Sequence, residues 1–308
     1  MTCRSPASPT RWWPRVAEAV PLDTAWLKAN PLPDHQDNVD KNGRGRVLVI
    51  GGGRRVPGGM LLTAEAAFRA GAGKVTIGTI ASAAIPIGIA CPSCAVVALP
   101  ETDAGEIAPE ATELLLPEMA LHDAIVFGPA MSDAESVRSL LGALLSSLPE
   151  DMFVLLDALA LRAAAEHHHA IRARAAHTVL TPHEGELAAM LAIDKAVVAA
   201  DPLAALNAAA ERFGAAVMAK GAVSHLIAEG RRLAYAGGGL GLAASGSGDI
   251  LAGLVAGLGA QGLSPLQASA WGIWLHGEAG RRLSETMGAL GYLARELPPL
   301  VPGLMRGV

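Results

Sequence analysis

Apolar residues along this chain fall into short runs that end in glycine, proline or a carboxylate, with Ala- and Leu-rich stretches of helical period between them. Arg46-Val-Leu-Val-Ile-Gly51 is a β-branched run that stops in a row of glycines, the pattern of a buried strand entering a tight loop. Lys74–Gly78, Ala95–Leu99, Ala124–Gly128, Met152–Asp157, Thr178–Thr181 and Ala216–Ala219 repeat it. A helix is predicted over Ala64–Ala70, and an Ala-rich one behind Asp157. Ser224–Ala228 and Arg231–Ala236, turning at Glu229-Gly230, read as a hairpin. From Gly248 onward the chain turns helical, over Asp249–Ala260, Pro265–Glu285 and a last short helix near Leu297–Met305.

Strand–helix alternation of this kind predicts an α/β fold with a doubly wound, mostly parallel sheet, whose ligands bind beyond the carboxyl ends of the strands. Residues 1–39 are rich in Pro, Trp and polar side chains, with only a short helix predicted near Val16–Val20. They are read as an N-terminal arm outside the core. Residues 40–308 show no repeat or dividing linker and are read as one domain.

Composition narrows the partners. The chain is 51% hydrophobic but only 4% aromatic, which suits small-residue packing of helices on a sheet buried on both faces. A formal charge of −5 argues against nucleic acid or an anionic membrane, since both call for a basic face. The longest apolar run, Ile250–Leu263, is broken by Gln261 and glycines and is too short to span a bilayer. The first residues carry Arg4, Arg11, Trp12, Trp13 and Arg15 without an apolar signal core, so a cytoplasmic location is expected. Cys91 and Cys94 have the spacing of a redox pair or half a zinc site, but no second pair follows. Two reduced thiols in a loop are expected. His167-His168-His169 point in different directions from a predicted helix end and are read as solvated.

Two nucleotide signatures fail. Gly51–Val56 lacks the last glycine of the dinucleotide fingerprint, and Gly73-Lys74 is followed by Val75 where a P-loop needs Ser or Thr. Ala244-Ser-Gly-Ser-Gly-Asp249, just before the apolar run from Ile250, is the strongest local signal. Small residues at a helix start let backbone N–H groups face outward, where the helix dipole attracts anions. Asp249 could serve there as a plain first-turn carboxylate. Ser alone would cap adequately, however, whereas glycine is costly in a merely structural helix start. An anion hole beside a carboxylate is what phosphoryl transfer to an alcohol requires.

Gly246-Ser-Gly-Asp249 ahead of a glycine-containing helix resembles the anion-hole and base motif of ribokinase-like kinases. Thr181-Pro-His-Glu-Gly-Glu186, Ala219-Lys-Gly-Ala222 and Ala243–Gly253 stand in the order and spacing of the ADP/ATP-dependent NAD(P)H-hydrate dehydratases. So do Arg46–Gly52 with Arg69-Ala-Gly-Ala-Gly73, and His276-Gly-Glu-Ala-Gly280; the likeness runs from about residue 40 to 305. The resemblance implies a ribokinase-like three-layer sandwich, its central, mostly parallel sheet flanked by helices. It implies a reaction in which the hydroxyl of a hydrated nicotinamide ring is phosphorylated and phosphate is then lost, restoring NADH or NADPH. By the same likeness Asp249 is the catalytic base and Gly246, Ser247 and Gly248 form the anion hole. Lys220, Gly221, Ala222, Val223 and Ser224, with Gly248, would line the adenine nucleotide. Gly59, Ala130, His183 and Asp249 would face the hydrated cofactor, and Glu186 would help organise Mg²⁺ through water. The donor would be ADP or ATP, with the short bacterial chains pointing to ADP. The epimerase that usually accompanies this domain is expected on a separate chain, the arm being too short to hold it. A homo-oligomer, a tetramer, is expected by analogy.

Taken one at a time, these residues have plainer readings. Lys220 ends an apolar strand and could merely reach for solvent, although Gly221 after it permits close backbone approach. His183, after Pro182, could cap a helix. Glu186 is favourable in a first turn by charge alone. His276, in an apolar helix, reads as a core histidine. The chain also departs from the family pattern. Leu159 replaces a second Asp in Asp157-Ala-Leu-Ala-Leu161, and Gly128-Pro-Ala-Met-Ser132 replaces Gly-Pro-Gly-Leu-Gly. Gly58-Gly59 replaces Gly-Ala, while Gly239 and Ala244 stand where Asn and Thr are common. Two rivals stay open: a vitamin-precursor kinase of the same fold, sharing Asp249, and a non-catalytic paralogue that binds nucleotide without turnover.

Overall fold

The apolar runs pair into one sheet. In a computed structural model describing residues 18–34 and 40–308, the strands are β1 (Val20–Pro21), β2 (Arg46–Ile50), β3 (Lys74–Ile80), β4 (Ala95–Leu99) and β5 (Ala124–Phe127), followed by β6 (Phe153–Leu156), β7 (Thr178–Leu180), β8 (Ala216–Ala219), β9 (Ser224–Ala228) and β10 (Arg231–Tyr235). Their order is β1-β10-β9-β8-β7-β6-β5-β2-β3-β4. From β4 across to β8 neighbours run parallel, while β9 turns back antiparallel to both β8 and β10. The chain winds outward from β2 through β3 to β4, then crosses back to build β5 to β8 on the other side. That reversal opens a crevice beyond the carboxyl ends of β2 and β5. Val47–Ile50, Ala124–Phe127 and Phe153–Leu156 are buried along their whole length, as strands covered on both faces must be. No helix among the described residues is long and apolar enough to cross a membrane.

Two expectations are corrected. Part of the segment read as an arm outside the core belongs to it. Val20 and Pro21 pair in parallel with Leu233 and Ala234, and the Leu22 amide donates to the Ala234 carbonyl at 2.8 Å. Leu22 and Leu27 are buried, and the Trp271 indole N–H donates to the Asn30 carbonyl at 2.8 Å. The cause lies in β10, whose outer edge would otherwise show unpaired backbone groups. Residues 16 and 17 of the helix predicted near Val16–Val20 lie outside the described residues; the helix observed is Thr24–Ala29, capped by Asp23. Secondly, Cys91 and Cys94 are joined in a disulfide rather than standing as free thiols. The turn between them sets their Cα atoms 5.5 Å apart, within the range a disulfide needs.

Helix Ser247–Gly259 lies against helix Gly59–Arg69 at very short range. A Cβ at Gly253 would strike the Thr63 carbonyl oxygen and come within 2.7 Å of Ala66 Cβ; one at Gly257 would sit 3.1 Å from Ala70 Cβ. Only glycine on one helix facing alanine on the other allows this spacing. Gly253→Ala is therefore expected to lower the unfolding free energy by about 1–3 kcal/mol. Gly303→Ala, in open space in the last helix, should change it by under about 0.5 kcal/mol. Denaturant titration of both variants checks the pair.

Candidate active site

The loops beyond β2, β5, β6, β7 and β8 meet the start of helix Ser247–Gly259. Gly59 opens the helix after β2, and Ala130 follows β5 with a left-handed backbone, φ +56°. A Cβ at Gly59 would lie 3.1 Å from Ala130 Cβ and 3.5 Å from Asp249 Oδ2. Lys220, directly after β8, places its ammonium 3.3 Å from where a Gly248 Cβ would be, and 3.3 Å from Asp157 Oδ1. Gly59, Ala130, Lys220, Gly248 and Asp249 thus form one cluster across the crevice. Gly221, Ala222 and Val223 make the turn from Lys220 into Ser224 of β9.

The helix begins at Ser247, two residues before the expected Asp249, because Gly246 adopts φ +85° and no side chain caps it. The Ser247 amide is taken by the Ala244 carbonyl at 3.2 Å. The Gly248 and Asp249 amides find no protein acceptor among the described residues. Such a helix start attracts an anion through its open donors and its dipole.

Charge is tightly arranged here. Burial, reinforced by the negative charge of Asp157 and opposed by Lys220, pushes the Asp249 carboxyl up to about 7. Asp157 itself is only 4% exposed and accepts from both Thr181 Oγ1 and Lys220. Burial likewise pushes Glu186 up to about 7, against the His183 amide that donates to it at 2.9 Å. His183 caps the helix Glu184–Leu191: its Nδ1 accepts from the Gly185 amide at 2.9 Å and the Glu186 amide at 3.3 Å. Burial and Lys220 hold the His183 pKa below its ordinary value, which suits an accepting Nδ1. The plain reading of His183 and Glu186 as a capping pair is therefore real. Yet the His183 ring is 62% exposed, open to a ligand in the crevice.

Sequence reasoning left three partners unassigned. Asp157 ends an apolar strand, and a carboxylate buried there requires partners; that rule would have directed attention to Lys220 and Thr181. His276, read as a core residue, lies 2.8 Å through Nε2 from the Ser247 hydroxyl, and burial lowers its pKa to about 4. It therefore fixes Ser247 at the helix start while remaining uncharged. Glu106, only 4% exposed, accepts from the Ser132 amide at 3.0 Å and from the Ser132 hydroxyl. It thereby pins the loop that carries Ala130.

The sequence profile of a family described as NAD(P)H-hydrate dehydratase matches residues 47–302. An ADP-dependent (S)-NAD(P)H-hydrate dehydratase from Xanthomonas campestris pv. campestris is 40% identical over 293 residues, 95% of this chain and 97% of that one. The structure of an ADP/ATP-dependent NAD(P)H-hydrate dehydratase from Bacillus subtilis, co-crystallised with ATP and Mg²⁺, matches with TM-score 0.75 and 25% identity, over 94% of this chain and 99% of that one. A ribokinase-like superfamily protein from Enterococcus faecalis V583 matches with TM-score 0.77 and 23% identity, over 90% and 92% of the two chains. The fold is thus the expected ribokinase-like sandwich. On the profile match and on the 40% identical relative alike, the chain belongs to the NAD(P)H-hydrate dehydratase family.

Proposed function

We propose that this protein dehydrates (S)-hydrated NADH and NADPH at the expense of ADP, with Asp249 as base. One observation carries the reading: a carboxylate whose proton affinity is raised to about 7 stands between open helix-start amides and the Gly59–Ala130 wall. Asp249 accepts the proton of the ring hydroxyl as that oxygen attacks the terminal phosphorus of the nucleotide, and AMP leaves. The Gly248 and Asp249 amides stabilise charge on the transferring phosphoryl group, and Lys220 adds a positive charge beside them. The ring nitrogen then expels phosphate from carbon, and loss of a proton from the adjacent ring carbon restores the double bond. Lys220 to Ser224 line the nucleotide, with Gly246, Ser247 and Gly248 as the anion hole. Gly59, Ala130 and His183 face the hydrated ring.

Among the described residues no three His, Cys, Asp or Glu side chains gather as a direct metal cage. The carboxylates that influence one another here, Asp157, Glu186 and Asp249, supply oxygen donors only, and Asp157 is tied to Lys220. That set fits Mg²⁺ held by phosphates and water with Glu186 at one remove. When bound, the ion screens the charge of the phosphates.

Purified protein mixed with hydrated NADH, Mg²⁺ and ADP should regain the near-ultraviolet absorbance of reduced nicotinamide. A stable phosphorylated product without that absorbance would make the protein a kinase. Nucleotide binding without turnover would make it a sensor. Asp249→Asn is expected to lower kcat by about 10²–10⁴-fold while ADP binding by calorimetry survives. Lys220→Ala should raise the KM for ADP about tenfold and leave that for the hydrated cofactor near its original value.

The raised Asp249 pKa has two consequences. A base must be charged, so kcat/KM should fall as pH drops below about 7, and Glu186→Gln should keep that limb if Asp249 is its source. For stability the sign is the reverse. The folded state holds the proton more tightly than the unfolded chain, whose carboxyl titrates near 3.8, so stability is lost as pH rises from about 4 to about 7 and stays lost above it. Asp249→Asn should therefore stabilise the protein at pH 8 by up to ~4 kcal/mol, with the gain shrinking as pH falls from 7 and absent below pH 4. Thermal unfolding across that range decides it.

A further inference from the structure

On the dehydratase reading, phosphoryl donor and acceptor reach Asp249 from two flanks of one crevice. Lys220 to Ser224 lie beyond β8 and enter β9, so a nucleotide there occupies one flank. Gly59 and Ala130 lie beyond β2 and β5. In the strand order β8-β7-β6-β5-β2-β3, the direction away from the donor flank, starting at Gly59, leads towards β3.

A cavity of about 440 Å³ lies on that side. It is walled by Pro57 and Gly58, next in the chain to Gly59, by Ile80 at the end of β3, and by Ala83 and Pro86 of helix Ala81–Ala90. Its volume lies within the range of small-molecule sites. Most of the lining is apolar, the chemistry that receives a heteroaromatic base. Arg54 stands at the rim, exposed, with one N–H donated to the Asp103 carbonyl at 3.2 Å. A guanidinium has five donors in a planar fork, and an exposed one is suited to a phosphate. The start of helix Ala81–Ala90 is not the phosphate site, because Glu101 already accepts there from the Ser82 amide at 3.3 Å and the Ser82 hydroxyl at 2.7 Å.

We infer that this cavity holds the adenosine half of the hydrated dinucleotide, the base between Ile80 and Pro86 and the pyrophosphate beneath Arg54. The inference rests on the dehydratase reading and deepens it: the remote half is recognised by a slot separate from the phosphoryl-donor site, so binding energy gathered there helps to hold the nicotinamide against Asp249.

The test compares hydrated NADH with hydrated reduced nicotinamide mononucleotide, which lacks the adenosine half, under saturating ADP. Wild-type protein should show kcat/KM at least about tenfold higher on the dinucleotide. Pro86→Trp fills the slot from an exposed position and should cut the dinucleotide-to-mononucleotide ratio about tenfold. Arg54→Ala, on the surface, should cut it about threefold, mainly through KM. Equal kcat/KM for the two substrates in wild type overturns the slot while leaving the dehydratase standing. So does an unchanged ratio in Arg54→Ala and Pro86→Trp alike. Turnover of neither substrate by wild type overturns the dehydratase reading and the slot with it.

Discussion

The site exists because two helices can come closer than most side chains allow. Glycines of helix Ser247–Gly259 sit on the backbone and methyls of helix Gly59–Arg69, with nothing bulkier between. Each helix starts at the crevice: one with Gly59, the other with the Gly248 and Asp249 amides. The spacing set in the middle of the pair is therefore the spacing across which the Asp249 carboxylate faces Gly59. Packing density makes such contacts unforgiving, since added volume in a filled interior moves backbone. The Ala- and Gly-rich composition that suggested close packing at first sight is, at these positions, the means of building the site.

Electrostatics complete what packing begins. Asp157, buried and held by Thr181 and Lys220, raises the proton affinity of Asp249, while Lys220 lowers it. Two carboxylates sharing one ammonium keep the free site close to charge balance, which a low-dielectric crevice demands. An arriving phosphate adds negative charge. The positive groups already in place to meet it are the same lysine and the open helix amides. Uncharged His276 and its bond to Ser247 steady that helix start without disturbing the balance.

Much of this was legible in the residues. Period-two and apolar runs located β2 through β10 to within a residue or two, because strands buried on both faces leave long apolar signatures. The glycines before Asp249 pointed to an anion site, and the structure shows Gly246 in the left-handed region at that helix start, φ +85°. Contacts between distant segments were less visible. Val20–Pro21 is too short to show any period, and only the exposed edge of β10 explains it. Glu106 and Ser132 meet from 26 residues apart, and nothing local in either segment marks the other. His276 was taken for a core residue since helical period reports a face, not the hydroxyl waiting opposite. Cys91 and Cys94 depended on a turn geometry that composition does not carry.

Gly59 and Ala130 face each other so closely that the two positions share one space. Here the β2 side carries no side chain and the β5 side carries the methyl. A Cβ on both would leave 3.1 Å between carbon centres, and the methyl at 130 is kept despite a left-handed backbone that glycine would adopt freely. A methyl at both positions would push the two loops apart by a few tenths of an ångström, so the width of the crevice at this point is set by the two side chains together and not by either alone.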